Sequence, residues 1–265
     1  MIRWLKSARA EFVRDFTLTL RYPLELLTGL FVLYLLFMGL FMGARLIAGQ
    51  QALSGNLDGV VIGYTMWFFA MMAINTMSVD IESEARQGTL EQVYLSTSNY
   101  LGLLWVRSAV HLSMGAGVVV ALAVLIQATT GNWLHLTWAT LPAVVLVIIL
   151  TVAGLSGFGL LLGGLSLTFK RIGQLSAIVQ FSLFFLAYAN LASIPLPWRY
   201  VVAHLPMARG VDILKTLLAI DADLSIVTVS TLWLAADSLC YIILGSVMFL
   251  AMERIARKGG MLAHY

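Results

Sequence analysis

Long apolar runs separated by short polar segments dominate this chain. Residues 26–44, 59–79 and 108–169 contain no Asp, Glu, Lys or Arg. A helix that crosses a bilayer needs about 20 mostly apolar residues, so the longest run has room for two helices. A turn between them is favoured in the Gly- and Asn-containing segment 129–138. The pattern therefore predicts six membrane spans, at about residues 24–46, 58–79, 102–127, 139–167, 172–194 and 225–252.

The composition indicates that lipid is the main solvent of this chain. Hydrophobic residues make up 60% of the 265 positions and charged residues 11%, whereas soluble domains carry about a quarter charged residues. The single cysteine, Cys240, excludes an internal disulfide framework. We therefore expect an all-α integral membrane protein in which residues 1–265 form one transmembrane domain.

The basic residues indicate which side of the membrane each loop occupies, because cytoplasmic loops are enriched in Lys and Arg. If both termini are cytoplasmic, four basic residues lie outside: Arg45, Arg199, Arg209 and Lys215. The other twelve then lie inside: Arg3, Lys6, Arg9, Arg14, Arg21, Arg86, Arg107, Lys170, Arg171, Arg254, Arg257 and Lys258. This asymmetry predicts a multi-pass protein with both termini in the cytoplasm.

The N-terminal segment 1–22 is predicted to be an amphipathic helix lying on the inner membrane surface. Its apolar residues recur at helical spacing, and most of its bases lie elsewhere on the wheel. Pro23 ends the helix and starts the first span. The apolar run that follows is too long for a cleavable signal peptide. The alternative interpretation is a basic tail beside the membrane.

Charge is concentrated in the segment 80–96, which reads DIESEARQGTLEQVYLS. Glu82 and Arg86 are spaced for one face of a helix that continues from the second span, and Gly88 interrupts that helix. Thr89 is predicted to act as the N-cap of a second, short helix. The apolar ridge on this short helix either folds back on its own bundle or docks into another protein; its members are Leu90, Val93, Tyr94 and Leu95.

This segment, written E-x-E-x-x-x-G-T-L-E-Q-V-x-L-S, resembles the first cytoplasmic loop of ABC transporter permeases of the second type. Those proteins are the six-span membrane subunits of many bacterial exporters. Two further stretches are similar to the family: LSLTFKRIGQLSAIVQFSLFF at 165–185 and SIPLPWRYVVAHLPMARGVDILKTLL at 193–218. The resemblance covers essentially the whole chain. One departure is that no proline follows Leu95 and Ser96, where the family commonly has one.

The resemblance implies a coupling helix at about residues 88–97 that docks onto a separate ABC ATPase subunit. It also implies an outer re-entrant segment at about 195–223, a second permease copy or a homologous permease as partner, and the bacterial inner membrane as location. The candidate ATPase-coupling residues are Glu82, Glu84, Arg86, Gly88, Thr89, Leu90, Glu91, Val93 and Tyr94.

No phosphate-binding loop of the form G-x-x-x-x-G-K-[ST] occurs, so the chain is not expected to hydrolyse ATP itself. We expect no catalytic residue, no metal site and no cofactor bound by this chain, with ATP and Mg on the partner ATPase. The four histidines, His111, His135, His204 and His264, are scattered and are interpreted as structural or interfacial. No nucleic-acid partner is expected.

Asp237 is the candidate for a working residue inside the membrane. A carboxylate near the centre of a span costs about 2.5–3.5 kcal/mol and usually faces a partner or a wet cavity. One interpretation places it on the translocation path. The other is a structural hydrogen bond to serines or asparagines, such as Asn75 or Asn190, on other spans. Trp67 is predicted to be a core or lipid-facing residue, with a cavity-lining role as the alternative. The candidate translocation-path residues are therefore Asp237, Asn75, Asn190 and Trp67.

The preferred function is therefore the permease subunit of an ATP-driven ABC exporter that forms its pathway as a dimer. The alternative is an ATP-independent secondary transporter or a membrane scaffold. The sequence does not select a transported substrate.

Overall fold

The computed structural model describes residues 2–48, 57–97, 99–131, 137–169, 172–189, 194–218 and 224–258. Every regular element within these ranges is an α-helix. In chain order they are α1 Ile2–Arg21, α2 Pro23–Ala48, α3 Leu57–Arg86, α4 Leu90–Ser96, α5 Tyr100–Thr130, α6 Leu141–Phe169, α7 Gly173–Tyr188, α8 Leu196–Ala203, α9 Pro206–Leu217 and α10 Leu224–Lys258. The expected all-α class is confirmed.

Five of the described helices contain stretches that are long and apolar enough to cross a bilayer: Pro23–Gly43, Asp58–Arg86, Tyr100–Thr130, Leu141–Phe169 and Val227–Lys258. They fall on five of the six predicted spans, which supports a multi-pass membrane protein. The remaining one, predicted at 172–194, corresponds to α7, an apolar helix of 16 residues. Its length of about 24 Å is shorter than the roughly 30 Å hydrocarbon core. Residues 190–193 of that predicted span lie outside the described residues.

Helices α3, α6 and α10 pack side by side through glycines. A Cβ on Gly163 of α6 would overlap the carbonyl of Met77 in α3. A Cβ on Gly245 of α10 would likewise overlap the backbone of Gly157 in α6. Small residues let helix backbones approach closely where lipid, not water, surrounds them. These contacts fix α6 between its two neighbours at the centre of the bundle.

The segment 194–218 forms a helical hairpin of α8 and α9 that is inserted beside the bundle. Pro206 at its turn lies against Gly154, near the middle of the 29-residue helix α6. At the other end of α9, Nζ of Lys215 donates a hydrogen bond to the Ala187 carbonyl, near the end of α7. The residues of α8 are mostly exposed, whereas α9 is buried along most of its length.

Helix α1 packs on α5 and then bends at Tyr22 into α2. Its apolar side chains Phe12, Phe16 and Leu20 are exposed. The side chains of residues 2–8 lie outside the described set. Helix α2 is also largely exposed, and its contacts within the described chain are few.

Candidate functional site

The segment that joins α3 to α4 is a glycine-centred turn. Gly88 adopts a left-handed φ of 70°, which glycine tolerates without steric cost. The amide of Gly88 donates to the carbonyl of Ala85 at 3.1 Å, and the amide of Thr89 donates to Glu84 at 3.0 Å. These two bonds form a Schellman motif, which satisfies the last carbonyls of α3 and reverses the chain into α4.

Thr89 stands at the predicted N-cap position, but its side chain does not cap α4. Its hydroxyl instead donates to the carbonyl of Glu84 at 3.2 Å. The prediction of a capping side chain was therefore wrong. The physical reason is that the turn holds Thr89 at φ −88° and ψ −15°, whereas capping residues typically have extended backbone angles.

The apolar ridge of α4 divides between two faces. Leu90 is 1% exposed and packs in a buried cluster with Tyr100 and Phe249, so most of the ridge folds back on its own bundle. Val93 and Tyr94 are partly buried against the same cluster. Leu95 is 82% exposed and points away from it. The outward face of α4 therefore consists of Glu91, Gln92, Leu95 and Ser96.

Tyr94 links α4 to both α5 and α10. Its ring stacks on Tyr100, with centroids 4.2 Å apart, and the Arg257 guanidinium lies 4.9 Å from its ring centroid. Burial raises the pKa of the Tyr94 hydroxyl well above its usual value, and the nearby carboxylate of Glu253 raises the pKa further. The hydroxyl oxygen is buried without a hydrogen-bond partner. Tyr94 therefore contributes its ring, rather than its hydroxyl, to this contact.

Two of the candidate coupling acids hold helices together within the chain. Glu82 is 4% exposed, pairs with Arg86 one turn later and accepts a hydrogen bond at 3.3 Å from the amide of Ile172, at the start of α7. Glu84 pairs with Arg107 of α5 and accepts a hydrogen bond from the Tyr100 hydroxyl at 3.2 Å. These carboxylates therefore position α3 against α7 and α5.

A second set of ion pairs, not identified from the sequence, fastens α1 to α5. Nε of Arg107 lies 3.1 Å from the Glu11 carboxylate, and Nε2 of His111 lies 2.7 Å from the Asp15 carboxylate. His111 also lies 3.8 Å from Asp80 of α3. The signal was present in the sequence: two acids four residues apart on α1 match two basic residues four residues apart on α5.

Asp237 is bound by the α8–α9 hairpin. Its Oδ1 lies 2.9 Å from Nδ1 of His204, and its Oδ2 lies 3.1 Å from Nε of Arg209. The Nε–H group of Arg209 donates its hydrogen bond to the Ala203 carbonyl. The side chain of Asp237 is 13% exposed and that of His204 is 54% exposed. The alternative partner Asn75 was wrong, because its amide oxygen accepts a hydrogen bond from Gln180 of α7 and the partners of Asp237 come from the hairpin.

Two other translocation-path candidates, Asn75 and Trp67, lie at the contact between α3 and α7. Oδ1 of Asn75 accepts a hydrogen bond at 2.7 Å from Nε2 of Gln180, and Nε1 of Trp67 donates to the Gln180 carbonyl at 2.9 Å. Trp67 is buried, and its ring packs edge-on against Phe184, so the prediction of a core residue is confirmed. Asn190 lies outside the described residues. Trp67 and Asn75 therefore join α3 to α7, apart from Asp237.

Among the described residues, no group of three or more His, Cys, Asp or Glu side chains could hold a metal ion. Neither a protein-family model nor a curated protein matches the chain.

Proposed function

We propose that this chain is the permease subunit of an ATP-driven exporter, coupled to a separate ABC ATPase through α4. The single observation that carries the proposal is the division of α4 into two faces. Leu90 and Tyr94 anchor the helix to the bundle, and Leu95 stands exposed among polar residues on the opposite face. The outward face of α4, which includes Leu95, is the surface proposed to fit a groove on the ATPase.

The contacts of α4 connect it to three long helices of the bundle. The Schellman turn ties it to α3, Tyr94 stacks on α5, and Arg257 connects it to α10. A displacement of α4 by a partner therefore acts on three long helices at once. This is the arrangement required of a lever that converts ATP-driven closure of two ATPase subunits into a rearrangement of the membrane helices.

The proposed topology has six spans, with α7 as the fifth, and both termini in the cytoplasm of a bacterium whose inner membrane holds the protein. Helix α1 is the interface helix, and its exposed Phe12 and Phe16 suit the lipid surface. The α8–α9 hairpin is the outer re-entrant segment. Two such chains, or this chain and a homologous permease, enclose the pathway, and ATP and Mg bind to the ATPase alone.

Asp237 supports a pathway that reaches the hairpin. Sixteen residues separate it from Glu253, so about 24 Å of α10 lies between these two acids. A half-exposed His204 beside the Asp237 carboxylate at that level is costly against lipid and is stabilised by water or by a second copy. We therefore place His204 and Asp237 on the pathway side of the bundle.

The test is whether the chain, in nanodiscs, associates with an ABC ATPase encoded beside it and stimulates its ATP hydrolysis. Stimulation that disappears when the permease is omitted supports the proposal. No association with such an ATPase, and no change in its hydrolysis, contradicts it.

A secondary transporter is the second candidate, and the His204–Asp237 pair is the observation that favours it, because such pairs occur in proton-coupled carriers. The two candidates separate in sealed vesicles. Transport driven by a pH gradient without ATPase or ATP supports the secondary transporter, and transport that requires both supports the exporter.

A further inference from the structure

A cleft lies between α2 and the helices α3 and α5, beside the bend at Tyr22. It has two lobes. One, of about 530 Å³, lies between α1 and α5, and the other, of about 710 Å³, lies along α2. The lobes share Glu25, Leu26 and Val118. Each volume is within the range of pockets that bind drug-sized molecules, and the exposed Leu24 and Val32 leave the lobe along α2 open on one side.

The walls of the cleft are mostly apolar. The lobe along α2 is lined by residues such as Leu30, Phe68 and Met71, and the other lobe by Met72 and Met114 among others. Methionine side chains are flexible and polarisable, so they adapt to irregular apolar ligands. Such walls suit an alkyl chain or an aromatic body.

Glu25 is the exceptional residue of the cleft. Within the described part of the chain, its carboxylate has no ion pair and no side-chain hydrogen bond, in contrast to Glu11, Glu82 and Glu84, which are all paired. It lies in the first turn of α2, at the start of the candidate span Pro23–Gly43. Glu25 is an exposed residue, so its carboxylate is accessible to a cation whose apolar body can lie in the neighbouring lobe.

The other charged side chains that line the cleft also favour a cationic ligand. Asp15 is the second acid at the cleft and already contacts Arg14 and His111. His111 is the one basic side chain that lines either described lobe. The cleft therefore offers one uncommitted negative charge next to two apolar lobes.

We propose that this cleft binds a lipophilic amine, with its ammonium group on the Glu25 carboxylate and its apolar body in the lobe along α2. The inference names lipophilic amines as a substrate class of the proposed exporter. Transport of the amine rests on the proposed function, whereas binding of the amine does not. Binding itself requires neither ATP nor the ATPase.

Charge recognition is tested with dodecylamine and dodecanol, which share a tail and differ in the head group. Binding is measured to the full chain in phosphatidylcholine nanodiscs without ATPase. The wild-type chain is expected to bind the amine about tenfold more tightly than the alcohol, as one charge-assisted hydrogen bond provides. Glu25→Gln removes this preference, whereas Glu91→Gln, at an exposed acid on α4, preserves it.

Occupancy of the cleft is tested by filling it. A Cβ on Gly29 in the α2 lobe meets no atom within 4 Å, and the same holds for Gly39, which lies outside the cleft on the same helix. Gly29→Phe is therefore expected to weaken binding of both ligands about tenfold without disturbing the fold. Gly39→Phe leaves binding unchanged and serves as the matched control.

The inference is overturned by equal affinity for the amine and the alcohol, by an unchanged preference in Glu25→Gln, or by equal effects of the two phenylalanine variants. Loss of dodecylamine binding when phosphatidylethanolamine replaces phosphatidylcholine also overturns it, because the occupant is then a phospholipid amine. Amine binding by a chain that stimulates no ATPase contradicts only the proposed function, so the two failures are distinguishable.

Discussion

The ring of Tyr94 in α4 stacks on the ring of Tyr100 in α5, with centroids 4.2 Å apart and planes inclined by 29°. Because the Tyr94 hydroxyl is buried without a partner, the contact depends on the ring. We expect Tyr94→Ala to lower the thermal unfolding temperature in detergent, since an aromatic pair is worth about 0.5–1.5 kcal/mol beyond its buried area. Tyr94→Phe keeps the ring and should unfold at or above the wild-type temperature. Equal destabilisation by both variants would show that the hydroxyl matters.

Leu95 and Leu90 are expected to respond differently to the same substitution. Leu95→Asp places a charge on an exposed position, so the chain should fold normally but lose association with the ATPase and stimulation of its activity. Leu90→Asp buries an unpaired carboxylate and should reduce the yield of folded protein. The measurements are size-exclusion chromatography and co-purification. A Leu95→Asp chain that still stimulates ATP hydrolysis would count against α4 as the coupling element.

The Glu11–Arg107 pair should hold the interface helix against the bundle. Arg107→Glu places three acids, Glu11, Glu84 and residue 107, next to one another, so α1 should detach and become sensitive to protease. Breaking a partly buried pair of this kind costs about 3–5 kcal/mol in the extreme case. The double variant Glu11→Arg with Arg107→Glu restores one opposite-charge contact and should regain part of the protection. Protection unchanged in the single variant would show that apolar contacts alone hold α1.

Asp237→Asn should loosen the α8–α9 hairpin, because Arg209 then loses its carboxylate partner. Adding Arg209→Gln removes the uncompensated charge and is expected to restore the wild-type unfolding temperature. If His204 and Asp237 line the pathway, transport remains reduced in this stabilised double variant. Normal transport by the double variant would assign Asp237 a structural role only.

The helical class and the approximate positions of five long apolar helices followed from the sequence, since each crossing requires a long uncharged run. Gly88 was also informative, because a glycine after a charged helix end favours a left-handed turn. The partners of Asp237 could not be predicted. His204 is 33 residues away in sequence, and it lies beside Asp237 in a hairpin whose Pro206 packs against Gly154 of α6.

The sequence also could not predict which face of α4 packs against the bundle. A helix of seven residues has too little periodicity to show which side is inward, and its orientation is set by Tyr100 and Phe249 on other helices. The sequence therefore indicated an apolar ridge but could not separate the anchoring Leu90 from the exposed Leu95. The role of His111 was missed for a different reason: the matched four-residue spacing was present in the sequence, but no pattern indicated that α1 packs against α5.

The most direct test of coupling through α4 is the location and neighbour of residue 95 in the assembled complex. In a Cys240→Ser background, Leu95→Cys is probed with a membrane-impermeant maleimide from either side and with a short bifunctional cross-linker. Trp198→Cys, at an exposed position on α8, is the control. We predict that Leu95→Cys is labelled only from the cytoplasmic side and cross-links to the ATPase, whereas Trp198→Cys is labelled from outside and does not. Labelling of Leu95→Cys from outside, or the absence of its cross-link in a complex that hydrolyses ATP, would contradict the account.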